Sequence, residues 1–204
     1  TEALWLLNKP WDEALEQALH YADNNGWIYN LAGQIAESQE HCEQAVSYYE
    51  KAHKLLPNET EIRINLAHAV NALGQTEQAV ALLKVEADNP ALLNALGNIY
   101  AANHEPQTAL TYYEKALRKV NKKEPLYFDI LFNKAVVLTE LELLGDAQDT
   151  LRIVLEHDAN DVRALVLMGD IWNNTGDYIR ADLSWNHALE ISETSDILKR
   201  LGLL

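Results

Sequence analysis

The sequence predicts an all-α fold of tandem helix-turn-helix repeats, and three observations predict it. The phrase AVSYYEKAHKLLPN at 45–58 returns as ALTYYEKALRKVNK at 109–122, 64 residues later. Small residues recur in pairs twelve apart: Gly33 and Ala45, Ala67 and Ala79, Gly97 and Ala109, Ala135 and Ala147, Gly169 and Ala181. Around them the apolar residues are spaced by three and four, the period of one helical face.

The twelve-residue interval is not one helical face, because a turn signal always falls inside it, as in ESQEHCEQA, ALGQTEQA, NHEPQTA, LELLGDA and NTGDYIRA. Each unit is therefore two helices packed where both are small, with Gly97 expected to face Ala109. Glycine in a helix interior costs about 1 kcal/mol against alanine, so it needs such a reason.

In chain order, a partial unit is expected over 1–25 with Trp5, Ala14 and Ala18, and Trp11 ahead of its second helix. Full units are expected to begin near 26, 60, 90, 128 and 162. The unit near 26 places Tyr29, Ala32 and Ala36 on its first helix and Tyr49 and Ala52 on its second. The same places hold Leu93, Leu96 and Tyr100 with Tyr113 and Ala116, and Leu165, Met168 and Trp172 with Trp185 and Ala188. Helical phase turns Trp27 away from Ala32 and Gly33. The units near 60 and 90 run short and long by amounts that cancel. The segment 195–204, with Ile197, Leu198 and Leu201 on one side, is expected to cap the last exposed face. Residues 1–204 are expected to form a single domain.

Composition restricts the partners. A formal charge of −15 disfavours nucleic-acid backbones, which are held by Lys and Arg, and anionic membrane surfaces. A neutral or basic protein or peptide is the expected partner. No run reaches the roughly 18 apolar residues of a membrane helix. The opening TEALWLL, already helical in pattern and without Met, reads as trimmed. The one cysteine, Cys42, excludes an internal disulfide and leaves cytoplasm and periplasm both open.

No catalytic, cofactor or metal site is expected. His41 and Cys42 are adjacent on a turn, and His20, His53, His104, His157 and His187 lack metal-ligand spacing. There is no phosphate-binding glycine loop and no GxSxG. Lys115, Arg118, Lys119, Lys122 and Lys123 read as a solvated helix face.

The stretch YNLAGQIAESQEHCEQAVSYYEKAHKLLP resembles the tetratricopeptide repeat, with Ala36 in its tyrosine place and Pro57 closing the unit. The likeness covers nearly the whole chain. It implies a right-handed α–α superhelical solenoid whose first helices line a concave groove. Three residues before and one after each small residue then fall on the groove side. That face reads Asn30 and Gln34; Asn65, His68 and Asn71; Asn94 and Asn98; Asn133; Asp170, Asn173 and Asn174. Asparagine is a poor interior helix residue, so its concentration here points to a ladder of carboxamides for an extended peptide backbone. Asn98 and Asn133 are expected to lead it, both turned away from the helix-pair core.

Ile64, Phe132, Val136, Val166 and Leu167 are interspersed and would suit an amphipathic helix instead. The family's clamp for chaperone tails finds matches only in Asn98, Asn133 and Arg163. Asn94 and Leu167 replace two of its cations, which removes most attraction for a carboxylate-rich tail. The function expected is a non-catalytic binding scaffold. The alternatives are a targeting or regulatory domain of a larger enzyme, and a self-associating assembly scaffold.

Overall fold

Several helices begin where the sequence supplies an acceptor or a proline. Asn25 Oδ1 accepts the Trp27 N–H at 3.1 Å, Asn89 Oδ1 that of Ala91 at 2.9 Å, and Asp161 Oδ1 that of Ala164 at 3.1 Å. Pro90, Pro106 and Pro125 stand at first helical positions, where a missing N–H costs nothing. The computed structural model describes residues 25–84 and 88–203, so the partial unit expected over 1–25, with Trp5 and Trp11, lies almost wholly outside the described residues.

The chain divides into two units, residues 1–87 and 88–204. In the first, α1 (Gly26–Ser38) pairs with α2 (Cys42–Leu55), and α3 (Thr60–Ala72) with α4 (Thr76–Leu83). In the second, α5 (Pro90–Ala102) pairs with α6 (Pro106–Leu117), α7 (Pro125–Glu140) with α8 (Leu144–His157), and α9 (Val162–Asn174) with α10 (Tyr178–Ile191). The short α11 (Ser195–Arg200) follows. No strand occurs among the described residues. The 30-residue interval from 60 to 90 has its cause in α4, which is 8 residues long against 12–14 in the other second helices. The unit expected near 128 opens at Pro125 and gives the longest first helix, 16 residues.

One turn joins every pair. The second residue past each first helix is left-handed: Glu40 (φ 62°), Gly74 (78°), His104 (59°), Glu142 (59°) and Gly176 (83°). The N–H after it returns to a carbonyl five residues back, as from His41 to Ala36 and Asp177 to Trp172, both 2.9 Å. This closes the otherwise orphaned carbonyls of the helix end.

A further contact fills the helix pair at the glycines. A Cβ on Gly33 would stand 2.5 Å from Tyr49 Cε1, on Gly97 2.4 Å from Tyr113 Cε1, and on Gly169 2.4 Å from Trp185 Nε1. The space nearest Gly97 is thus filled by an aromatic ring sixteen residues on. Ala109 is itself fully buried. Ala67 and Ala135 stand where the residue sixteen on is Leu83 or Leu151, a smaller side chain, and all four are fully buried.

At the C-terminal end, Ile197 is buried against Leu165, Ala181, Trp185 and Ala188. Thr194 Oγ1 accepts the Ile197 N–H just as Asp161 accepts that of Ala164, so α11 opens as α9 does.

Candidate functional site

Four of the polar residues expected to form an open ladder are bonded to one another in two pairs. Asn65 Nδ2 donates to Asn30 Oδ1 at 3.0 Å, joining α3 to α1, and Asn133 Nδ2 donates to Asn94 Oδ1 at 3.1 Å, joining α7 to α5. Asn30 is only 4% exposed, so most of its amide serves the helix contact. A carboxamide buried between helices must be paired, and each pair supplies one donor and one acceptor for the purpose.

Asn98 corrects the expectation more directly. Its Oδ1 accepts the Tyr113 hydroxyl at 2.8 Å, so it serves the core aromatic instead of turning away from the helix pair. Trp185 Nε1 finds Asp170 Oδ1 at 3.1 Å, one residue after Gly169, in the same manner. In the repeat of Gly33 the Tyr49 hydroxyl reaches Glu37 Oε2 at 2.9 Å instead, leaving Gln34 exposed. Burial pushes the phenols of Tyr49 and Tyr113 well above the ordinary tyrosine range, with Glu37 and Glu140 respectively adding to the rise. His68 is half-buried, and burial lowers its pKa against the opposing pull of Glu37. Asn71 accepts from Thr76 Oγ1 at 2.9 Å; Asn173 and Asn174 are exposed.

Arg163 is held by Asp129 at 3.1 Å and Asp161 at 3.0 Å and lies 4.9 Å over the Phe132 ring. Arg200, which the sequence pattern did not single out, reaches Asp170 through Nε at 2.6 Å and Nη2 at 2.9 Å, and also bonds Asp196. These bonds, the Asp170 one largest, push the guanidinium further above its usual value. All three residues matching the chaperone-tail clamp therefore have partners inside the chain.

Between α7, α9 and α11 a cavity of about 350 Å³ opens, its apolar part formed by Phe132, Val136, Val166, Leu167 and Ile197 and its polar part by Arg163, Asp170, Thr194 and Asp196. The two guanidinia are contacted by four carboxylates, Asp129, Asp161, Asp170 and Asp196, so this cluster carries net negative charge. Among the described residues no group of three His, Cys, Asp or Glu side chains is placed to hold a metal ion, and no helix is long and apolar enough to cross a membrane.

Helix pairs with size-matched contacts, and first helices tied to one another by side-chain bonds, define a helical-repeat protein. The tetratricopeptide repeat pattern matches residues 6–133, and the chain belongs to that family. It is 29% identical over 196 residues to a TPR repeat-containing protein of Treponema pallidum (strain Nichols), covering 92% of this chain and 24% of that protein. It is 26% identical over 193 residues to the human protein O-mannosyl-transferase TMTC1, covering 93% of this chain and 21% of that protein. The chain thus spans about a quarter or less of the length of these relatives. The crystal structure of yeast Tom70 superposes with a TM-score of 0.80 at 20% identity, covering 98% of this chain and 44% of that one, which shows the shared solenoid fold. Tetratricopeptide repeats generally mediate protein–protein interaction.

Proposed function

We propose that residues 1–204 act as one repeat domain that binds a partner protein by taking a large apolar side chain, flanked by lysine or arginine, into the cavity between α7, α9 and α11. The observation that carries this reading is the cavity itself: an apolar lining, open to solvent, beside more carboxylates than cations. Such a site suits an anchor residue whose neighbours are cationic. The amide ladder is secondary, because Asn94, Asn98 and Asn133 already have partners, and a ligand backbone would meet only their remaining groups. Asn173, exposed in the same unit as the cavity, offers a further polar contact of the same secondary kind, while Gln34, Asn65 and His68 belong to the first unit. Selection of a random displayed-peptide library against the full chain tests the reading. Enriched peptides should combine one large apolar residue with adjacent Lys or Arg; an acidic consensus would reject it.

A second reading rests on the human relative, which is named as a mannosyl-transferase and of which this chain matches 21%. On that reading the repeats serve a longer protein with a catalytic portion elsewhere. The sequence of the complete gene product decides it.

A further inference from the structure

The buried alanine of each second helix has a residue two before it and a residue two after it on the outward side. In α2, α4, α6 and α8 these pairs are Glu43 and Ser47, Glu77 and Ala81, Gln107 and Thr111, and Gly145 and Asp149, none with a large apolar member. In α10 they are Ile179 and Leu183, 77% and 66% exposed. One turn apart, the two share a face. Tyr178, 66% exposed, stands next to Ile179.

Together with Tyr178 the pair forms a small exposed apolar patch that a partner can cover. The acidic side chains Asp182 and Glu190 are exposed on the same helix. Its cation, Arg180, is engaged by Asp177 at 3.3 Å and by the Trp172 ring at 4.5 Å. Two chains of charge −15 repel, whereas a cationic partner is attracted. A second copy is therefore a poor occupant.

We propose that the outward face of α10 is a second docking surface, separate from the cavity of the first helices, and that it takes an amphipathic helix of a partner protein with an aliphatic pair one turn apart beside lysine or arginine. The aliphatic pair would cover Ile179 and Leu183 while the cations meet Asp182 and Glu190.

Methyl-resolved NMR of the full chain, titrated with a synthetic amphipathic leucine–lysine helix, tests this. A scrambled peptide of the same composition and a leucine–glutamate helix are the controls. The Ile179 and Leu183 methyls should shift saturably with the leucine–lysine helix alone, and Asp182→Lys with Glu190→Lys should weaken the effect by about tenfold or more. Shifts of equal size with either control, or no shift at these methyls, overturn the proposal. So does movement of the same methyls on raising protein concentration without peptide, which makes a second copy the occupant. Val136, Val166 and Leu167 methyls report the cavity separately, so failure here is distinguishable from failure there.

Discussion

Gly97 and Tyr113 share one volume: a Cβ on the glycine would stand 2.4 Å from the ring edge, and the ring is 2% exposed. Because the ring is packed on all sides, Gly97→Ala should destabilise the chain by about 1–3 kcal/mol through overpacking. Gly145 is the internal contrast. It lies in α8, and a methyl group added there would meet nothing within 4 Å, so Gly145→Ala should stabilise by up to about 1 kcal/mol. Urea unfolding of both variants checks the pair of opposite signs.

The phenol of Tyr113 depends on Asn98. Asn98→Ala leaves a buried hydroxyl without its partner and should cost about 1–3 kcal/mol, whereas adding Tyr113→Phe should recover much of that loss. A double-mutant cycle in urea measures the coupling, and additive single effects would contradict it.

Left-handed backbone is a local cost wherever the residue carries a Cβ. His104, at φ 59°, occupies the turn position that Gly176 fills at 83°. His104→Gly should therefore stabilise by about 1 kcal/mol and Gly176→Ala should destabilise by a similar amount. Equal melting temperatures for both variants and the parent would refute the assignment of this turn.

Acid should weaken the start of α9. Burial opposes ionisation of Asp161, but the Arg163 guanidinium and the Ala164 N–H outweigh it and hold the carboxyl below the usual aspartate range. The folded pKa lies below the unfolded one, so the contribution is fully present above the unfolded value of about 4 and is lost as pH falls through the folded one. Asp161→Asn keeps an N-terminal acceptor and removes the charge. The variant should be less stable than the parent at neutral pH, and the gap should close on acidification; a gap independent of pH would contradict this.

Repeat register was legible because small residues and turn signals recur along the chain. The size rule was legible too but lay sixteen residues away: glycine stands opposite Tyr49, Tyr113 and Trp185, and alanine where Leu83 and Leu151 occur. Reading only the twelve-residue interval left the aromatic partner Tyr113 unseen. The amide pairs were not legible. Asn30 with Asn65 and Asn94 with Asn133 are 35 and 39 residues apart, and their spacing depends on helix lengths set by packing. The left-handed turns at Glu40, His104 and Glu142 carry no glycine to announce them, and Arg200 meets Asp170 only because α11 packs through Ile197.

The most direct test of the proposed binding mode is the affinity of a library-selected peptide for the parent chain, for Val166→Asp and for Asn94→Ala with Asn133→Ala, measured by calorimetry. A carboxylate placed in the apolar cavity should weaken binding by on the order of a hundredfold, while the amide pair should change it by less than about tenfold. The reverse order, with Val166→Asp tolerated and the double alanine variant unable to bind, would contradict apolar anchoring and restore the carboxamide ladder as the binding surface.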